Sequence, residues 1–150
     1  MAKFIFQSSL PIAYRDSLER LIFFNQHQRL VEKAIAKAVE LYGSPTIISD
    51  AAGLRVAVSA RDDVQCLFAL VNGRRGLELA GMVVYLRTSI EEIIVLHIAV
   101  ADRFSRTRRS GVEVVMTLAR AVRETAHRLR GVEWLKMLYL EGRQFRLPLR

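Results

Sequence analysis

The chain has 150 residues, 51% of them hydrophobic and 25% charged, with a formal net charge of +8. That length suits one domain around a single core, and that balance excludes a chain disordered throughout. No run reaches the ~20 apolar residues of a membrane helix, and the apolar start is too short for a secretory leader, with Asp16 and Glu19 close behind it, so a cytoplasmic protein with no membrane partner is expected.

Lys3–Gln7 reads as a short edge strand. Ser8 and Ser9, followed by Pro11, mark a helix entry, since proline is tolerated in the first turn. Leu18, Leu21 and Ile22 then repeat at helical spacing. Leu30, Val31, Ala34, Ile35, Ala38 and Val39 do so again, with Glu32, Lys33, Lys37 and Glu40 on the other face. The spacing predicts two helices or one bent helix, broken near Asn25–Gln28 and ended by Gly43 and Pro45.

Beyond Pro45 the pattern turns to strands. Leu54–Ser59 alternates apolar with polar or small residues, Cys66–Val71 is continuously apolar, and Asn72–Gly76 has glycine on both sides of Arg74–Arg75, a hairpin turn. Leu77–Arg87 is long enough to hold a bulge at Gly81. After a turn at Ser89–Glu92, Ile93–Val100 is apolar on both faces, as a covered central strand should be. These four runs predict an antiparallel meander. Cys66 is the single cysteine, so no internal disulfide forms. It sits in an apolar run as a buried thiol, and no Cys/His cluster offers a metal site.

A basic loop follows, with Arg103, Arg106, Arg108 and Arg109, and then a helix from Gly111 to Arg130. Val112, Val115, Ala119, Val122, Ala126 and Leu129 form its predicted buried face. Glu124 and Arg128 can pair across one turn. Strand, basic loop and helix N-terminus together form a recurrent way to hold a phosphate, because unpaired N–H groups and the helix dipole both favour an anion there. Arginines add charge and paired donors at the same place. Gly131 stops the helix, Val132–Leu140 returns to strand, and Arg143–Leu149 forms a last strand.

Arg108, Arg109, Ser110, Gly111, Val112 and Glu113 resemble the coenzyme A loop of the GNAT acetyltransferases, Arg/Gln-x-x-Gly-x-Gly/Ala. Glu113 stands where the family has Gly or Ala. The order of elements is similar as far as Leu140. It then departs, because the remaining ten residues cannot hold a further helix and two strands. The resemblance implies a single GNAT-like domain shortened after about residue 140, of mixed α/β class, with a mainly antiparallel sheet and helices packed on both faces. It implies acetyl-CoA as cofactor, bound by Ile98, Ala99, Val100, Arg103, Arg106, Arg108, Arg109, Ser110, Gly111 and Val112. It also implies that the strand after the helix splays from Ile93–Val100 to leave a slot for the thioester.

Direct transfer of an acetyl group needs a deprotonated amine, a positioned thioester and often a general base. On the strand or its entry the titratable residues are Glu91, Glu92 and His97. His97, at its ordinary pKa, is the candidate base, and alternation sets it opposite Leu96 and Ile98. Two functions are carried forward. One is acetyl-CoA-dependent N-acetylation of an amine acceptor. The other is a non-catalytic module of the same fold, binding protein or nucleic acid. A nucleic-acid partner is the less favoured, since Phe104 is the only aromatic residue in the arginine loop. The expected C-terminal edge, Val132–Leu149, predicts a homodimer, because bare strand edges invite pairing.

Overall fold

The computed structural model describes residues 3–23, 39–41, 43–58, 63–138 and 144–148. The predicted helix break at Asn25–Gln28 and most of the second predicted helix lie outside these. In chain order come β1 (Phe4–Gln7), a 3-10 turn (Ile12–Tyr14), α1 (Arg15–Phe23), β2 (Pro45–Asp50), β3 (Gly53–Val58), β4 (Val64–Gly73), β5 (Gly76–Arg87) and β6 (Glu92–Val100). Then follow α2 (Asp102–Ser105), α3 (Arg108–Arg128), β7 (Trp134–Leu138) and β8 (Gln144–Pro148). Six strands form one sheet in the order β1-β4-β5-β6-β7-β8, and β2-β3 form a separate hairpin. Every neighbouring pair is antiparallel except β6 and β7. A parallel pair cannot be closed by a tight turn, so α2 and α3 supply the crossover.

The fold is therefore mixed α/β with a mainly antiparallel sheet. Alternation along β5 gives the sheet two buried faces. Met82, Val84 and Leu86 meet Leu18, Leu21 and Ile22 of α1 and Leu54, Val56 and Val58 of β3. Val83 and Tyr85 join Val114, Leu118, Val122 and Ala126 of α3 on the other face. Phe68 and Leu118 are 0% exposed, and burying such side chains contributes ~1.5–3 kcal/mol each.

The Asn72–Gly76 hairpin forms as the sequence predicts, with Gly73 opposite Gly76. The predicted irregularity near Gly81 is also present: Ala69 faces Gly81 and Leu70 faces Leu79, leaving Ala80 as the extra residue. Gly81 has a second role. A Cβ there would lie 2.7 Å from the Ala99 carbonyl oxygen and 2.9 Å from Val114 Cγ1, so its lack of a side chain lets α3 pack close to β5 and β6.

Three expectations are corrected. The four-strand meander is not formed: the run from Leu54 pairs with β2 and packs over the sheet, anchored by Leu10 and Leu54 exchanging backbone hydrogen bonds of 2.9 and 2.7 Å. Gly53, at φ 118, permits that approach, since a Cβ would sit 2.4 Å from the Leu10 carbonyl oxygen. The helix begins at Arg108 rather than Gly111. Its buried face runs through Val114, Leu118, Val122 and Ala126, while Val112 is 51% exposed. The apolar positions of the sequence fit two overlapping helical stripes, and the close approach that Gly81 permits selects the one centred on Val114 and Leu118.

Candidate functional site

β6 and β7 pair in register from Glu92/Trp134 to Val95/Met137. β6 continues to Val100, still paired with β5. The direction of its backbone groups follows from one bond. Ala101 donates to the Ala80 carbonyl at 2.8 Å, so Ala101 and Ala80 form a hydrogen-bonded pair. Antiparallel pairs alternate, so Ala99/Met82 is of the same kind, whereas Ile98/Val83 and Val100/Gly81 are not. Ile98 and Val100 thus turn their N–H and C=O away from β5, to the β7 side of the strand. Of the three residues expected to line a coenzyme, Ala99 turns its own backbone groups to β5.

The register of β6 and β5 slips between His97/Val84 and Val95/Tyr85, leaving Leu96 as the extra residue of a bulge. Residues directly opposite share a face, so His97 lies on the α1 face with Val84 and not opposite Leu96 as simple alternation implied. Its Nε2 is buried and has no hydrogen-bond partner among the described residues. Desolvation pulls its pKa down to about 4. A base at its ordinary value was expected; the buried imidazole is instead neutral at pH 7 and holds a proton weakly.

The segment expected to be an arginine loop is largely helical. Asp102–Ser105 forms α2, and the chain enters α3 after Arg106 and Thr107. Thr107 caps α3: its hydroxyl accepts from the Ser110 N–H at 3.2 Å. The Ser110 hydroxyl donates to the Phe104 carbonyl at 2.6 Å, and the Gly111 N–H to the Thr107 carbonyl at 3.2 Å. Ser110 and Gly111 are thereby committed to the fold. The amides of Arg108 and Arg109, first in the helix, are those left without intrahelical acceptors. Arg106 and Arg109 are exposed. Arg103 turns away from this point and pairs with Glu78, its guanidinium carbon 5.5 Å from the Phe104 ring centroid. The chain therefore runs from Ile98 and Val100 on β6 through α2 to the backbone of Arg108 and Arg109 at the start of α3, and Arg103 is engaged by Glu78.

Thr107 was missed in the sequence, although a threonine just before a helix is a recognisable cap signal. β2 was missed as well, although Thr46–Ile48 is a β-branched run that leads into the turn between Asp50 and Gly53.

No family model and no curated protein matches this chain.

Other chemistry is sparse. Cys66 is buried, its Sγ donates to the Ser8 carbonyl at 3.5 Å, and desolvation raises its pKa, which suits an inert thiol. Among the described residues no three His, Cys, Asp or Glu side chains gather as a metal set, and no helix is long and apolar enough to cross a membrane.

Proposed function

We propose that this protein is a GNAT-like N-acetyltransferase that moves the acetyl group of acetyl-CoA to an amine. The observation that carries the reading is the order of parts: β6, paired in parallel with β7, runs to Val100 and leads through α2 to the N-terminus of α3. A pantetheine arm is a narrow chain with two amides. Laid along the β7 side of β6 at Ile98 it would hydrogen-bond to the strand as an added strand does. Its pyrophosphate would then reach the amides of Arg108 and Arg109, where the helix dipole favours an anion.

In this reading the amine nitrogen attacks the thioester carbonyl, a C–N bond forms, the C–S bond breaks and the thiol of coenzyme A leaves. The amine must shed a proton. His97 lies on β6, but as a base with its pKa near 4 it contributes little at neutral pH. Its neutral imidazole can still orient a substrate by one hydrogen bond. Cytoplasmic residence follows from the same reading, because that is where an acetyl-CoA-dependent enzyme of this kind would meet its cofactor.

The depressed His97 favours a second reading, a module of this fold that binds coenzyme A or another partner without transfer. Calorimetric titration with acetyl-CoA, followed by thiol release in the presence of a panel of primary amines, separates the two. Binding with amine-dependent thiol release supports the enzyme, binding without it supports the module, and no binding removes both coenzyme readings.

A further inference from the structure

We propose that the groove between α1 and α2 binds a small monocarboxylate with an apolar body. This inference does not rest on the acetyltransferase reading. The groove encloses about 490 Å3 and is walled by Tyr14, Ser17, Arg20 and Leu21 on one side and by the start of β5 and Ala101–Phe104 on the other. That volume lies in the range of ~300–1,000 Å3 of small-molecule sites. It is lined by the start of β5 and by α2, whereas the coenzyme reading uses the β7 side of β6 and the start of α3.

The chemistry of the ligand follows from the walls. Leu21 and Leu79 are almost fully buried and form an apolar floor. The rings of Tyr14 and Phe104 flank it, and both are held. The Tyr14 hydroxyl donates to the Leu77 carbonyl at 2.7 Å, and Phe104 lies under the Arg103 guanidinium. These surfaces suit an apolar body. Glu78 is neutralised by its pair with Arg103, so two of the charges on the far wall cancel. Arg20 is different. It has no ion-pair partner among the described residues, and it projects from α1 one turn beyond Ser17, on the same helix face. A guanidinium with a hydroxyl beside it suits a carboxylate. One guanidinium matches one carboxylate, and a cation would meet Arg20, so a single negative charge fits best.

The test uses the full chain, 15N-labelled, titrated with 3-phenylpropionate, 3-phenylpropanamide and 3-phenylpropylamine. Expected is saturable movement of the amide signals of Ser17, Leu21, Leu77 and Ala101 with the acid, at a Kd of about 1–10 mM. The amide should bind about fivefold more weakly, the scale of one exposed charge contact, and the amine more weakly still. Arg20→Gln should bring the acid down to the affinity of the amide, Arg20→Lys should fall between, and Phe104→Ala should weaken acid and amide alike. Arg20 is exposed, so its variants test the contact without disturbing the fold. Equal affinity for acid and amide, tighter binding of the amine, movement confined to other residues, no saturation with the acid, or an acid affinity unchanged in Arg20→Gln would each overturn the proposal. Coenzyme A titrated into Arg20→Gln should bind as it does to the parent chain, so failure of this site and failure of the acetyltransferase reading remain distinct results.

Discussion

Arg87, the last residue of β5, donates from Nη2 to the carbonyl of Arg130 at 2.8 Å and to that of Ile90 at 2.6 Å, and from Nε to that of Ser89 at 3.2 Å. One guanidinium thus ties the β5–β6 turn to the end of α3, which is 43 residues away in sequence. Carbonyls past a helix C-terminus lack intrahelical partners and carry the negative end of the dipole. Arg87→Ala should lower stability by about 1–2 kcal/mol, since charge-assisted bonds at an exposed site keep part of their value. Arg87→Lys should recover less than half of that loss, because an ammonium lacks the planar fork. Urea denaturation of the three proteins provides the measurement, and equal midpoints would show that the staple carries no load.

Gly81 and Gly111 should respond oppositely to alanine. At Gly81 a Cβ would meet the Ala99 carbonyl oxygen and the side chains of Val114 and Leu118 at 2.7, 2.9 and 3.2 Å. Gly81→Ala should therefore cost about 1–3 kcal/mol, the usual scale of overpacking. At Gly111 the nearest atom is Ser105 Cα at 3.6 Å, an ordinary contact. Alanine there is the better helix former by about 0.8–1 kcal/mol, so Gly111→Ala should be neutral or stabilising. A thermal melt that ranks the two the other way would contradict the packing of α3 described above.

The contrast between these glycines bears on what the sequence can reveal. The hairpin at Asn72–Gly76, the irregularity near Gly81 and the strand Ile93–Val100 are local patterns of glycine and apolar spacing, so they could be read directly. The pairing of β3 could not. Leu54, Val56 and Val58 give the same alternation whether the strand lies within the sheet or packs across its face, and contact with Leu10 decides between the two. The side taken by His97 was misread for a similar reason, since a bulge at Leu96 leaves no mark in the periodicity of an all-apolar strand. The candidate site was legible as a strand, basic residues and a helix. Which arginines reach the helix end was not, because it depends on Glu78, which lies on β5 and recruits Arg103.

His97 should show its burial in the response to acid. Its pKa is depressed from 6.5 to about 4 in the folded protein, so between those values the unfolded chain binds a proton that the native state does not. Its contribution is fully present above pH 6.5, erodes as pH falls, and is lost by about pH 4. The whole shift corresponds to roughly 3 kcal/mol. Carboxylates titrate in the same window, so the comparison is with His97→Gln, whose stability should fall less steeply between pH 6.5 and 4. In the parent chain the imidazole resonances of His97 should stay unmoved from pH 8 to 5.5. An ordinary titration near 6.5 would refute this and restore His97 as a base suited to neutral pH.

Self-association should involve the β7–β8 edge. Among the described residues β8 is the outermost strand on that side of the sheet, so one line of its backbone groups has no neighbouring strand there. A homodimer is expected, and sedimentation velocity over a concentration series should show a shift from monomer to dimer. A single monomeric boundary throughout would rule the edge out as a strong contact.

The anion site at α3 separates the arginines into classes. Arg108 and Arg109 begin the helix, where the amides lacking intrahelical acceptors would meet a pyrophosphate. A charge-assisted contact there is worth ~1.5–3 kcal/mol, so Arg108→Ala should weaken coenzyme A binding by roughly ten- to a hundredfold. Arg103 is engaged by Glu78, away from that point, and Arg103→Ala should change affinity by less than about threefold. Arg123 and Arg128 lie on the exposed side of α3, toward its far end, and should act through a salt-screened field alone. Glu113 is exposed in the second turn. Its charge opposes an anion at the helix start, so Glu113→Ala should tighten binding, and more so at low salt. Calorimetry on this series at two salt concentrations gives a pattern that a diffuse basic surface cannot produce. Equal losses from Arg103, Arg108, Arg123 and Arg128 would mean that charge alone draws the coenzyme, and the helix end would no longer be a specific phosphate site.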